Sequence, residues 1–261
     1  MIGIFDSGLG GLSVLAAIAR ALPRADLIYL ADTGHVPYGS KSEAFVQGRV
    51  LAIGDHLVEQ GCKLIVVACN TATAAAITAL RQRHPSIPVV GVEPGVKPAA
   101  QSSRSAHIAV LATEVTARSD RLKKLIHDHA AQVHVQVEAC PGWATRVEML
   151  DLDGGEFAAE VAAKVSPLLE AGADRIVLGC THYSFLKPLL APLVAGRAEL
   201  VDVADAVARQ VVRLAGDAGH NNASLTLLAT ARPEQLQAAL PSLDLQWLAD
   251  RCRQAARLSN I

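Results

Sequence analysis

Leu64-Ile-Val-Val-Ala-Cys69-Asn-Thr71 and Arg175-Ile-Val-Leu-Gly-Cys180-Thr-His182 are two versions of one pattern. In each, a short apolar run rich in β-branched residues reaches a cysteine, then small polar residues, then a helical stretch. Such runs are the length of buried strands, and strands alternating with helices imply a parallel sheet with right-handed crossovers. In open α/β sheets, ligands bind at the carboxyl ends of the strands. The repeat therefore predicts two similar halves, each presenting a cysteine at a strand end, facing one another across one cleft.

The rest of the chain extends the alternation. Residues 1–5 read as a strand, followed by the turn Asp6-Ser-Gly-Leu-Gly-Gly11 and a helix to about residue 22. Residues 27–30 form the next strand, and the loop holding Pro37-Tyr-Gly39 leads to a helix over about 42–60, with Gly61 as its stop. An Ala-rich helix follows Cys69, and 89–92 is a strand. The pattern pauses near residues 94–98 and restarts: strand 107–111, helix 116–130, strand 133–137, helices over 143–150 and 156–170, and strands 175–178 and 200–203. From about residue 205 the chain is long enough to return to the first half; 216–222 reads as a polar loop. The expectation is an α/β protein of two similar domains, related by a pseudo-twofold, with mainly parallel sheets flanked by helices. Residues 1–94 plus 205–261 form the first domain and 95–204 the second.

Composition narrows the function. Of 261 residues, 51% are hydrophobic and 19% charged, which permits a sizeable buried core, and the net charge of −1 gives no basic footprint for nucleic acid. No apolar stretch reaches the roughly 18–20 residues that span a bilayer, and the first residues lack the pattern of a signal peptide. The five cysteines are an odd number without a C-x-x-C or a zinc spacing, which fits reduced thiols in a cytoplasmic protein. His127, His129 and His134 lack partners at ligand spacing and read as a solvated helix end.

A free cysteine is ordinarily a small buried hydrophobe, and Cys62, Cys140 and Cys252 are read so. Cys69 and Cys180 differ, because each is expected at a helix N-terminus, where the helix dipole favours thiolate. Racemising an amino acid removes the Cα proton from one face and returns one to the other. Two bases on opposite faces, one thiolate and one thiol, do this without a swinging group. Gly8-Leu-Gly-Gly11 fails as a dinucleotide fingerprint, since the third glycine falls on Ser13; that weakens a nucleotide-dependent reductase as an alternative. Its backbone amides could hold a carboxylate as well as a phosphate, or the stretch is a plain strand–helix turn. Asp6 and Ser7 could contact a substrate ammonium or tune a nearby thiol, and His182 could modulate Cys180. Asp32 is either an N-cap or loop anchor, or a polar group in the cleft.

Together these segments resemble the glutamate racemase family. They are Phe5-Asp-Ser-Gly-Leu-Gly-Gly11, Ala31-Asp-Thr33 through Val36-Pro-Tyr-Gly39, Val67-Ala-Cys-Asn-Thr-Ala72 and Gly91-Val-Glu-Pro-Gly-Val-Lys-Pro-Ala99. Leu111-Ala-Thr113 with Thr116, and Leu178-Gly-Cys-Thr-His-Tyr183, complete the set in the family's order. The resemblance implies interconversion of L- and D-glutamate without cofactor or metal, supplying D-glutamate for peptidoglycan. It implies Cys69 as the base toward D-glutamate and Cys180 toward L-glutamate, with Asp6 and His182 assisting. Asp6, Ser7, Tyr38, Gly39, Asn70, Thr71, Thr181 and His182 are the implied substrate contacts, and Glu148 falls where the family often carries a cleft glutamate. An aspartate or broad aspartate/glutamate racemase, or a silent binding homologue, are the alternatives; a homodimer is left open. Three places depart from the family: Ser184 stands where proline is common, Val203-Ala204 replaces a usual small polar residue after Asp202, and the stretch near Thr230–Pro233 lacks the usual Gly-Asp.

Overall fold

The computed structural model describes residues 1–152, 154–216, 222–252 and 254–261; residues 217–221 of the expected polar loop lie outside them. The chain forms two compact units, residues 1–92 with 204–261 and residues 93–203.

The first unit begins β1 (Ile2–Asp6), α1 (Leu12–Ala21), β2 (Leu27–Ala31), α2 (Glu43–Glu59), β3 (Leu64–Val67), α3 (Asn70–Arg83) and β4 (Val89–Gly91). The second runs α4 (Val96–Ser102), β5 (His107–Ala112), α5 (Glu114–Arg118), α6 (Asp120–His129), β6 (His134–Ala139), α7 (Trp143–Glu148) and α8 (Gly155–Glu170). It continues with β7 (Arg175–Leu178), a 3-10 turn (Thr181–Leu186), α9 (Lys187–Val194) and β8 (Glu199–Val201). The chain then completes the first unit with α10 (Ala204–Ala215), β9 (Leu225–Ala229), α11 (Pro233–Ser242), α12 (Gln246–Ala249) and β10 (Arg257–Leu258).

Among the described residues, every strand pairing is parallel. The sheets have the orders β10-β9-β2-β1-β3-β4 and β6-β5-β7-β8. The four strands β2-β1-β3-β4 thus repeat the order of β6-β5-β7-β8, so the repeat seen around the two cysteines extends to whole half-sheets. In both units the chain switches direction across the sheet between the first strand and the cysteine-bearing one. Such a switch leaves a crevice at the carboxyl ends of the strands.

Alternation along the strands fills both faces. Phe5, Ile28, Leu30, Ile65 and Val67 pack under Val46, Val50, Ile53 and Leu57 of α2 and Ala72, Ala76, Ile77 and Leu80 of α3. Ile2, Ile4, Leu27, Tyr29, Leu64 and Val66 point the other way and are equally buried, and α1 packs with α10 on that side. In the second unit, Leu111, Ile176 and Leu178 meet α7, α8 and α9, while Ile108, Val110 and Val177 meet α4 and α6.

Three local expectations change. The single helix expected over 116–130 is two helices, because Ser119 takes an extended backbone and its side chain accepts from Leu122 N–H, capping α6. The helix expected directly after Cys180 is a 3-10 turn, with α9 starting at Lys187. Pro188, which lacks an N–H, occupies the first turn of α9, where that donor would have no partner within the helix. The C-terminal return contributes two strands that the sequence pattern did not separate. His127 and His129 do close α6, whereas His134 opens β6.

Candidate functional site

β1 and β3 end side by side in the first unit, Ala68 N–H donating to Phe5 O at 2.8 Å. At and just past their ends lie Asp6, Ser7, Cys69, Asn70 and Thr71, all buried. Cys69 is the N-cap residue of α3, with extended backbone (φ −136°, ψ 121°) and no capping hydrogen bond from its side chain. Its Sγ lies 3.9 Å from Ser7 Oγ. Asp6 organises the turn after β1: Oδ1 accepts from Ser7 N–H at 2.6 Å and Ser7 O–H at 3.2 Å, and Oδ2 accepts from Gly11 N–H. Asn70 Nδ2 is buried and has no hydrogen-bond partner among the described residues. A buried donor left unpaired costs about 1–3 kcal/mol, and substrate-binding sites are where such a cost is offset by a ligand.

Gly11 is required by contact, not by its backbone angles. A Cβ there would lie 2.6 Å from Asp6 Cβ, 2.9 Å from Tyr29 Oη and 3.1 Å from Ala68 Cβ. Tyr29 O–H is itself fixed by Gly8 O at 2.6 Å. The glycine-rich turn is therefore packed tightly over the carboxyl ends of β1, β2 and β3.

Tyr38 and Gly39 lie in the 3-10 turn Tyr38–Ser40. Tyr38 is fully buried, sharing an apolar cluster with Cys69, and donates its hydroxyl to Asp32 Oδ2 at 2.6 Å. Asp32, whose role was open, is a loop anchor. It accepts from Arg49 Nε and Nη2 at 2.9 Å each, from Thr230 O–H at 2.7 Å and from His35 Nδ1 at 3.0 Å. Burial pushes the Asp32 carboxyl up, but hydrogen bonds from Arg49, Tyr38, His35 and Thr230 outweigh it and hold the group at about 2. Burial and the adjacent Asp32 charge raise the Tyr38 phenol, which stays neutral.

A depressed carboxyl stabilises the fold above its unfolded pKa of 3.8, and this contribution fades as pH falls toward 2. The difference corresponds to roughly 2 kcal/mol. Urea unfolding at pH 6 and pH 2 is expected to show wild type losing more stability than Asp32→Asn by about that amount. Equal losses would mean that Asp32 titrates in the folded chain as it does unfolded.

In the second unit, Cys180 follows β7 with nearly the backbone of Cys69 (φ −142°, ψ 136°). Gly179 N–H donates to Leu111 O at 2.7 Å, as Ala68 does to Phe5 O in the first unit. A Cβ at Gly179 would sit 2.6 Å from that carbonyl oxygen, so glycine sets the close approach of β7 to β5. Thr181 and His182 are buried beside Cys180. His182 Nδ1 lies 3.6 Å from Cys180 Sγ and Nε2 lies 2.5 Å from Glu148 Oε1, making a thiol–imidazole–carboxylate chain. Burial lowers the His182 pKa, yet the hydrogen bonds to Cys180 and Glu148 raise it well above 6.5. By the register of Gly179 on Leu111, Ala112 stands where Asp6 does and Thr113 where Ser7 does, and Thr113 O–H donates to Thr116 Oγ1 at 3.0 Å. The strand-end repeat is the signal that marks Thr113.

The other three thiols are shifted upward. Burial pushes Cys62 up to about 11 and Cys140 to about 12, and it also raises Cys252. Thiols so shifted are poor nucleophiles and proton acceptors near neutrality.

Two doubly wound half-sheets, each with a buried cysteine at the equivalent strand end, define an α/β protein with a duplicated strand-end site. Residues 2–211 match the family described as Asp/Glu/Hydantoin racemase. The chain is 45% identical over 246 residues to a glutamate racemase of Pseudomonas aeruginosa, covering 93% of each chain. Its fold matches a glutamate racemase isoform of Bacillus anthracis with a TM-score of 0.86 and 29% identity, over 100% of this chain and 97% of that one. It also matches Escherichia coli glutamate racemase, solved with L-glutamate and an activator, with a TM-score of 0.85 and 30% identity, over 99% and 97%. The chain belongs to the Asp/Glu/hydantoin racemase family and is an isomerase. Among the described residues, no helix is long and apolar enough to cross a membrane.

Proposed function

We infer that this chain is a glutamate racemase, interconverting L- and D-glutamate with two cysteines and no cofactor. The observation that carries this is the duplicated strand–cysteine unit: two buried thiols in the same local geometry, each with its own polar partners. Relatives named glutamate racemase over nearly the whole chain support the substrate. The resemblance gives the product its use, D-glutamate for peptidoglycan made in the cytoplasm.

Cys69 thiolate takes the Cα proton of D-glutamate while Cys180 thiol supplies one to the opposite face; the reverse direction exchanges the roles. The Cα–H bond is a weak acid, and charge moves toward the α-carboxylate as the proton leaves. Donors already aimed at that carboxylate stabilise the transition state most. The orphaned Asn70 amide, with Thr71 and Thr181, suits that task. Asp6 and Ser7 serve the Cys69 side. His182, protonated between Cys180 and Glu148, favours thiolate at Cys180 when that residue acts as the base. Tyr38 and Gly39 complete the contacts.

The test is Cα exchange in D₂O with metal-free, reduced protein. Incubation with L-glutamate is expected to give deuterated D-glutamate; faster exchange of aspartate would keep the chemistry and change the substrate. No exchange with either would leave a binding protein. Enantiomers have equal free energies, so kcat/KM must be equal in the two directions for every variant. His182→Asn is therefore read through isotope effects. It is expected to raise the primary effect with Cα-deuterated L-glutamate and lower that with Cα-deuterated D-glutamate, because it slows only the transfer at Cys180. Equal changes in both would detach His182 from Cys180.

A further inference from the structure

The stretch that departs from the family, residues 230–232, lies at the end of β9 and is hydrogen-bonded to the loop that carries Tyr38. Thr230 O–H donates to Asp32 Oδ1 at 2.7 Å, and Thr230 Oγ1 accepts from Gly34 N–H at 3.0 Å. Ala231 N–H donates to Thr33 Oγ1 at 3.0 Å, while the Thr33 hydroxyl donates to Ala231 O. Arg232 Nη2 donates to Thr33 O at 3.3 Å. Arg232 holds a left-handed backbone (φ 50°), a conformation that costs a non-glycine residue energy and persists where surrounding contacts impose it. On the other side of Asp32, the Arg49 fork grips both carboxylate oxygens and extends Nη1 to Ile261 O at 3.0 Å.

The geometry points to Thr230 and Arg49 as positioning residues for substrate binding: through Asp32 they fix the Tyr38–Gly39 turn, although neither belongs to the motifs after β1 or β3. This rests on the proposed function, in which that turn contacts substrate. The Thr230 hydroxyl has two jobs, one as donor and one as acceptor. Valine has threonine's shape and does neither, leaving Gly34 N–H unpaired and Asp32 with one donor fewer. Serine keeps both. Lysine in place of Arg49 keeps the charge but cannot span both carboxylate oxygens.

The chain has three tyrosines, so ¹³C-tyrosine NMR can follow Tyr38 directly, its signal assigned by its loss in Tyr38→Phe. In the ligand-free protein, Thr230→Val is expected to shift or broaden the Tyr38 resonance, and Thr230→Ser to restore it. In turnover with L-glutamate, Thr230→Val and Arg49→Lys are expected to raise KM about fivefold, the equivalent of one hydrogen bond. Their kcat is expected to change less than about twofold, with serine again near wild type. An unmoved Tyr38 signal in Thr230→Val overturns the assignment, and so does a lowered melting temperature with KM unchanged. A moved signal in a protein whose wild type does not turn over glutamate would uphold the positioning of Tyr38 and reject the substrate.

Discussion

Cys69→Ala and Cys180→Ala are each expected to lower racemisation by about 10²–10⁴-fold or more while leaving a folded protein. Both cysteines are nearly buried, 5% and 8% exposed, yet each sits at the edge of its apolar cluster, where losing one sulfur atom removes little packing. The two variants should differ in a way that a structural defect could not imitate. With Cys180 alone, the protein can still take the Cα proton of L-glutamate and return a deuteron to the same face. Cys69→Ala should therefore wash deuterium slowly into L-glutamate without making D-glutamate, and Cys180→Ala should do the same for the D-enantiomer. Chiral chromatography with mass spectrometry reads both quantities together. Near wild-type inversion in either single variant would sink the two-thiol mechanism.

The second large effect is expected at a residue with no side chain. Gly11→Ala places a methyl group 2.6 Å from Asp6 Cβ, 2.9 Å from Tyr29 Oη and 3.1 Å from Ala68 Cβ. None of these can give way cheaply. Asp6 and Ala68 lie at the ends of paired strands, and Tyr29 is held by Gly8 O. Overpacking of this kind typically costs 1–3 kcal/mol, which Gly11→Ala should show as a lower urea midpoint. The activity loss should be larger than that, because Asp6 Oδ2 loses its aligned bond to Gly11 N–H and Ser7 moves with Asp6. A stable, fully active Gly11→Ala would mean that the turn adjusts without disturbing Ser7 or Cys69.

Much of the fold was legible because the central strands are short, apolar and β-branched: Leu64–Val67 and Arg175–Leu178 can be little else. Gly61, just beyond α2, takes the left-handed angle expected of a stop (φ 85°). β9 was harder to see. Leu225-Thr-Leu-Leu-Ala229 is a plausible strand only once β2 offers an open edge, and edge pairing is a property of the assembled sheet. The Ser119 break inside the expected helix had a local signal, a serine followed by Asp120, which helical periodicity across it obscured.

For the candidate site, the sequence by itself determined the residues attached to strand ends, Asp6, Ser7, Cys69, Asn70, Thr71, Cys180, Thr181 and His182, because a parallel strand must deliver the next few residues of the chain to the carboxyl edge of its sheet. Only the tertiary structure decided the partners. Glu148 reaches His182 from α7, and Arg49 and Thr230 reach Asp32 from α2 and from the end of β9. The physical reason is range. Strand and turn formation depend on neighbouring residues, whereas a hydrogen bond of 2.5–2.9 Å between residues 17 to 198 positions apart exists only when packing has fixed both ends.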